Sequence, residues 1–424
     1  MTPLEQVLAR VAHKDGAPFR QHAFRYLAAR RTPVRLAVGL HRALPRPLAR
    51  SLVSAYGWAS AVGTDLPPSP ADIVTAGLYR NEERQFATLR GATPDVRYLA
   101  VDFGRTAMAR PRTWSRALKA LASGEARRAM RAAAAGDDFL VAARRAETVG
   151  HWLGLRGALT ATGARAVLVS SDTNPYACAL IARAREAGLR VAFVNHGHIP
   201  PDGMPPLDVD LAILDGEALL DVYRDAGPVS ADVVFRGSEG SYRPMRTDGL
   251  RGGAPTVGIF ASLLVDWRRL GGMLPELREA LGAARFVLRL HPNQAIRDPA
   301  WRRHVPLLPD DVVSEGERVL LEDAARCDLV VAGNSSCHLS VLKHGIPALY
   351  LPGLDDVPHD FYRMLDLGIL AQAPSPAAAD PAAIADFYDD PAWAERFRRF
   401  DAAYPGNDAA LAEAAAAALR ELVS

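Results

Sequence analysis

Cysteine is scarce in this chain: Cys178, Cys327 and Cys337 are the only three in 424 residues. They are too few and too widely spaced for a disulfide framework or a metal cluster of CxxC type. Long apolar runs are missing too, since no stretch approaches the roughly 18 uninterrupted residues of a membrane span. The opening MTPLEQVLARVAHKDG has no signal-peptide core, so the expected location is the cytoplasm. GxSxG, GxxxxGK(S/T) and GxGxxG do not occur, which leaves serine hydrolases, P-loop NTPases and dinucleotide oxidoreductases without support. Glycine and proline, at 33 and 31, are scattered without period, which excludes collagen and low-complexity readings.

What is present is ordinary globular material. Apolar residues make up 49% and charged residues 23%, enough to build a core and too apolar for disorder. The length is about three times the usual domain quantum, so two large domains or three small ones are expected. The net charge of +2 conceals an asymmetry. Residues 1–60 carry ten basic groups against Glu5 and Asp15, and a second basic stretch runs from Arg105 to Arg131. Such segments suit anionic headgroups, an acidic polymer or nucleic acid, or form a plain solvated helix face. Neither zinc-finger spacing nor aromatic interleaving accompanies the charge, so no nucleic-acid partner is expected.

The first 70 residues read as helical, broken by prolines. Short apolar runs then recur at 72–77, 96–102, 164–170, 189–195, 210–215 and 232–237, with amphipathic intervals at 175–188 and 216–227. Strands of Val, Ile and Leu alternating with such helices indicate βαβ units and a parallel sheet buried on both faces. Residues 241–255 break into Gly, Pro and charge. The alternation then restarts with strands at 256–261, 285–290, 311–316, 328–333 and 347–352 and helices at 266–281, 318–326 and 336–344. The expected organisation is an N-terminal Rossmann-like domain over 1–245, basic and helical over 1–70, then a linker at 246–254. A C-terminal Rossmann-like domain over 255–400 follows, and a closing helix over 401–424 that Asn407 and Asp408 would cap.

Ligands of open parallel sheets bind beyond the carboxyl ends of the strands, and four such places carry polar groups. Gly333, Asn334, Ser335 and Ser336 end a buried strand and open a helix, whose unpaired N–H groups suit a phosphate or need only a plain cap. His291 ends another strand before Pro292 and could donate to a leaving phosphate or neutralise it as a cation. Asn195, His196, Gly197 and His198 end a third; with no further ligand at metal spacing, His196 reads as a general base or substrate contact. Asp172, in SSDTNP, is a base at a domain cleft, or it or Asn174 caps the following helix. Asp208 and Asp210 resemble a DxD site but lead into a strand, where turn and edge positions explain them. The cysteines read as small core or near-core residues.

The ordered pair LRLHP and DLVVAGNSSCHLSVLKHGIPALYLP, with SSDTNP and VNHG earlier, resembles bacterial GT-B glycosyltransferases of surface and capsular polysaccharide synthesis. Polysialyltransferases and Kdo transferases with HP and SS motifs are the nearest in look, with CDP-glycerol polymerases beside them. The resemblance covers roughly residues 165–355. It implies a GT-B fold with two Rossmann-like domains facing a central cleft and no metal or other cofactor. The implied donor is a nucleotide-sugar, CMP- or CDP-linked, held at its phosphate by His291, Pro292, Ser335 and Ser336. Asp172 or His196 would deprotonate a glycan or glycolipid acceptor. On its charge, the basic N-terminal segment would hold the chain peripherally on the anionic inner membrane face or guide an acidic acceptor. The acidic pair followed by Gly of the polysialyltransferases has no clear equivalent, since Asp137 and Asp138 precede Phe139. A CDP-alditol phosphotransferase, a UDP-sugar transferase, a non-hydrolysing epimerase and, from another class, a non-catalytic scaffold remain alternatives.

Overall fold

A computed structural model describes residues 1–136, 138–238, 242–291, 301–314, 319–406 and 409–424. Four helices open the chain: α1 (Pro3–Gly16), α2 (Pro18–Arg30), α3 (Thr32–Ala43) and α4 (Arg46–Val62). The first starts sharply because Thr2 and Glu5 form a reciprocal capping box around Pro3. The N-lobe sheet follows, built from β1 (Ile73–Ala76), β2 (Tyr98–Ala100), β3 (Ala166–Val169), β4 (Arg190–Val194), β5 (Leu211–Leu214) and β6 (Asp232–Phe235). All pairs are parallel, in the order β2-β1-β3-β4-β5-β6.

The C-lobe sheet comprises β7 (Thr256–Phe260), β8 (Arg285–Arg289), β9 (Val312–Ser314), β10 (Leu329–Ala332), β11 (Ala348–Tyr350) and β12 (Ala371–Gln372). It is parallel throughout, in the order β9-β8-β7-β10-β11-β12. Renumbered within the lobe this is 3-2-1-4-5-6, the doubly wound dinucleotide-fold order. Two Rossmann-like parallel sheets behind a helical N-terminal region are the GT-B architecture expected from the sequence.

The strands that are buried on both faces are the runs read as continuous apolar segments: β1, β3, β5 and β10 have no exposed residue. On one face of the N-lobe sheet, α1, α4 and two later helices, α5 (Phe139–Gly154) and α6 (Pro175–Glu186), share a core with Val167, Val169 and Phe193. The other face is covered by Phe86 and Leu89 and by the last helix, Ala409–Val423, through Ala415, Leu419 and Leu422. The chain therefore returns from the C-lobe to finish on the N-lobe. The expected cap of that helix, Asn407 and Asp408, lies outside the described residues.

The crossing between lobes is tied by one cation. Lys343 donates to Asp401 at 2.7 Å and to the Ser238 hydroxyl at 3.0 Å. Ser238 lies on the outgoing chain and Asp401 on the returning one, so both passes are bound at one point. Gly345, at φ 68°, admits the carbonyl of Pro244 where a Cβ would sit, which brings the linker against the same corner.

Strand order reverses between β1 and β3 in the N-lobe and between β7 and β10 in the C-lobe. Such reversals open the crevice in which doubly wound sheets bind ligands. Ser170, Ser171 and Asp172 follow β3, and Gly333 to Ser336 follow β10, so both serine motifs fall at reversal points.

Candidate active site

The two lobes enclose a cavity of about 260 Å³. Asn195, His196, Gly197, His198 and Asp215 line it from the N-lobe, and Ser336, Ser340, Lys343 and His344 from the C-lobe. The strand-end histidine and the strand-end serine, expected from separate lobes, thus border one space.

His196 is oriented by its own lobe. Its Nδ1 meets the backbone carbonyl of Ser170. A carbonyl only accepts, so Nδ1 carries a proton, and the tautomer this favours has its lone pair on Nε2. That is the tautomer a general base needs. His198, beside it, lies against the carbonyl of Tyr362 at 3.2 Å, and burial lowers its pKa to about 4, so it is neutral near pH 7.

Asp172 is placed differently. Its carboxylate is 2% exposed and meets Arg10 of α1 at 2.5 Å, while the phenol of Tyr223 donates to its other oxygen at 3.5 Å. Arg10 also reaches the Asp172 carbonyl at 3.4 Å, and Lys14 donates to Thr173 at 2.6 Å. The turn after β3 is therefore clamped by α1. Asn174 begins α6 without a side-chain cap bond; the Ser171 hydroxyl accepts from the Asn174 N–H at 3.2 Å instead.

In the C-lobe, Ser336 is exposed into the cavity at the start of the helix Cys337–Lys343, and Ser335 accepts from the Cys337 N–H at 3.3 Å. Asn334 is engaged on both ends of its amide. It donates to Tyr350 Oη at 3.1 Å and the Pro358 carbonyl at 3.0 Å, and accepts from the Phe361 N–H at 2.7 Å. It holds the 358–361 loop over the sheet edge. Gly333 leaves no room for a side chain, since a Cβ there would stand 2.6 Å from Asp355 Oδ2.

His291 lies two residues beyond β8. Burial, aided by the neighbouring Arg289 charge, lowers its pKa, which favours the neutral imidazole. Arg289 also acts on the Cys337 thiol, so the end of β8 and the start of the Cys337–Lys343 helix share a corner. Pro292 lies outside the described residues, as does Asp137.

Two acids escaped the sequence reading. Asp215, directly after β5, borders the cavity and accepts from Asn195 Nδ2 at 2.7 Å, while its Oδ1 has no hydrogen-bond partner. Burial pushes its carboxyl up to about 6, against the pull of Arg236. Its signal was available, a carboxylate ending a buried strand like the other candidates. Asp355 sits at the C-lobe reversal point and burial raises it likewise to about 6, against a hydrogen bond with Ser262. Nothing in PGLDDVP marked it, because its position depends on a bridge between Val265 and Asp355.

The structural readings of the remaining motifs agree with the geometry. Asp210 takes two bonds from Arg185, at 2.8 and 2.9 Å, and one from the Val191 N–H at 2.6 Å. Cys178 and Cys327 are buried, with thiols pushed up to about 12 by desolvation. Among the described residues no group of three or more His, Cys, Asp or Glu could hold a metal ion, and no helix is long and apolar enough to cross a membrane.

No known protein family and no curated protein matches this sequence. Among solved structures, the glycotransferase of kitacinnamycin aligns over 84% of this chain and 100% of its own, at 16% identity and TM-score 0.47. The wall teichoic acid polymerase TagF aligns over 84% and 90%, at 11% identity and TM-score 0.42. A UDP-GlcNAc 2-epimerase from Neisseria meningitidis aligns over 82% and 98%, at 12% identity and TM-score 0.41. These are likenesses of backbone course in three proteins of different chemistry.

Proposed function

We propose that this chain is a metal-independent glycosyltransferase. It would move a sugar from a nucleotide-activated donor, CMP- or CDP-linked, to a hydroxyl of a glycan or glycolipid in surface polysaccharide synthesis. The observation that carries the reading is the interlobe cavity bordered by His196 on one side and Ser336 on the other.

In the proposed reaction the donor phosphate rests against the Ser335 and Ser336 hydroxyls, with His291 donating to it as charge develops. Gly333 and Asn334 support this cradle, the first by admitting the Asp355 carboxylate against the strand end and the second by fixing the loop above it. His196 Nε2 takes the acceptor proton as the acceptor oxygen bonds to the anomeric carbon. The bond from that carbon to the phosphate oxygen breaks, and its electron pair leaves with the nucleotide. Preorganised donors at such a position are typically worth about 3–4 kcal/mol each. The pairing of Asp172 with Arg10 supports a positioning role for this carboxylate: it braces the turn whose Ser170 carbonyl orients His196.

A thermal-shift panel of CMP, CDP, UDP, GDP and ADP, with and without magnesium, tests the donor side. Ligand at about 100 times its dissociation constant adds roughly 2.7 kcal/mol of stability. The expected result is a magnesium-independent shift with cytidine nucleotides that Ser335→Ala with Ser336→Ala removes. A response to UDP alone would favour UDP-sugar transfer or epimerisation, and phosphorus in the product would favour alditol-phosphate transfer. Silence across nucleotides and intact sugar nucleotides would overturn the transferase reading in favour of a scaffold.

A further inference from the structure

The second basic stretch is neutralised where it begins. Arg110, Arg112 and Arg116 converge on the buried carboxylate of Asp65, and Arg110 also meets Asp102 at 3.3 Å. Burial pushes the Asp65 carboxyl up, and the three guanidinium bonds more than reverse it, holding it at about 2. Further along, Arg127 and Arg131 meet no carboxylate among the described residues, and neither does Arg50 of α4.

The helix Pro111–Ala122 buries Thr113, Ala117 and Ala120 along one face. The stripe beside that face is apolar as well, yet it is open. Trp114, Leu118 and Leu121, at i, i+4 and i+7, are 53%, 62% and 44% exposed. The Trp114 indole donates to the Met108 carbonyl at 2.7 Å, and Met108, 38% exposed, extends the stripe. The charges of this helix, Arg112, Arg116 and Lys119, lie about half a turn away on its other side.

Leu121 also borders a groove of about 560 Å³. Arg50 and Trp58 of α4 line one wall, and Arg127, Met130 and Arg131 of the helix Gly124–Ala133 line the other. Arg127 and Arg131, one turn apart, share a face beside the buried Met130. No Asp or Glu lines this groove. Glu125 is the one acid of that helix, and its charge acts on Arg183 instead. Asp138 borders a separate groove with Arg25, Arg35 and Arg42. The apolar stripe and the three guanidinium groups thus meet at Leu121.

We infer that the helix Pro111–Ala122 and the groove beside it form a docking face for an anionic lipid bilayer. Trp114, Leu118 and Leu121 enter the boundary between headgroups and acyl chains, and Arg50, Arg127 and Arg131 receive lipid phosphate. The pairing of chemistries selects this occupant. A hydrated polyanion would use the arginines and leave an indole and two leucines in water. A second copy of the chain would cover the stripe but set two groups of unpaired guanidiniums against each other. A bilayer places anionic headgroups directly over hydrocarbon, the layering that amphipathic interfacial helices match. Tryptophan favours that depth, and arginine stems reach from it to the phosphates. This inference is independent of the proposed transfer reaction.

Flotation of the full chain with vesicles, with neither donor nor acceptor present, tests it. Vesicles of phosphatidylcholine mixed with phosphatidylglycerol should bind, and phosphatidylcholine alone should bind far less. Arg127→Gln with Arg131→Gln should weaken binding about fivefold per arginine, roughly 25-fold together. Trp114→Gln with Leu118→Gln should weaken it by at least about tenfold, and the loss should persist at high salt, where the charge component is screened. Leu36→Gln with Leu40→Gln, on exposed leucines of α3, should bind like the parent. Equal binding of the parent to neutral and anionic vesicles, a comparison that needs no variant, would overturn the inference. So would insensitivity to the Trp114 and Leu118 pair, or an equal loss in the α3 control. Equal affinity for DNA or an acidic polysaccharide, unchanged in the Trp114 and Leu118 variant, would mark a polyanion surface instead. Dimerisation that this variant abolishes, without vesicle binding by the parent, would mark an interface between copies. An unchanged melting temperature verifies that each variant folds. Ser336→Ala should bind vesicles like the parent, which separates this face from the active site.

Discussion

The carbonyl of Ser170 fixes the ring of His196, and in doing so links the end of β3 to the end of its neighbour β4. One backbone acceptor sets the tautomer, and the lone pair on Nε2 is left for the interlobe space. His196→Ala is therefore expected to lower turnover by about 10²–10⁴-fold with nucleotide affinity unchanged. Steady-state rates beside nucleotide-induced melting shifts check this. A joint loss of binding and turnover would argue against a base.

His291→Ala should behave differently. Removing a donor to the departing phosphate is expected to cost about 10²–10³-fold in turnover, and the fold should persist because the imidazole is only half-buried. Turnover near that of the parent in a well-folded variant would remove His291 from the site.

Arg10 and Asp172 form a buried pair whose halves depend on each other. Arg10→Met leaves the carboxylate uncompensated and should cost about 3–5 kcal/mol, whereas Arg10→Met with Asp172→Leu should recover much of it. Urea denaturation of the single and double variants measures the difference.

Asp215 carries a pH signature. Its folded pKa of about 6 lies above its unfolded value, so its contribution is fully present below about pH 4 and is lost as pH rises through 6. Asp215→Asn escapes that loss. The variant should exceed the parent in stability by on the order of 2 kcal/mol near neutral pH and match it near pH 4. His338 has the reverse sign, because burial holds it at about 4 against an unfolded value near 6.5. Its contribution falls as pH drops through that window.

The parallel sheets were legible because a strand buried on both faces is apolar along most of its length; β1, β3, β5, β7 and β10 stood out for that reason, and β8 did so through Phe286 to Leu288 between two arginines. β12 did not, being two residues long with Gln372 exposed. The N-lobe helices Arg80–Ala92 and Phe139–Gly154 were also missed. The second buries only Ala142 and Ala146 in its first half and large side chains only from Val149 onward, so the first half lacks the bulky periodic residues that reveal a helix. The strand-end positions of the candidate residues were readable from the sequence alone. The roles of Asn334 and Asp172 were not, since each is defined by partners far along the chain: Phe361 for one, Arg10 for the other. The basic N-terminus misled in part, because charge in a sequence does not reveal which arginines face inward.

The bond from Lys343 to Asp401 and Ser238 has a mechanical corollary. Two backbone passes laid side by side flex readily across their common width and resist torsion, as a strap hinge does. Rocking about one axis is then what this bond leaves free, while Arg363 with Asp225 and Tyr26 with the Val265 carbonyl bridge the lobes elsewhere. Lys343 also ends the helix that Ser336 begins, so contact at the serine and bending at the strap act on opposite ends of one short rigid rod.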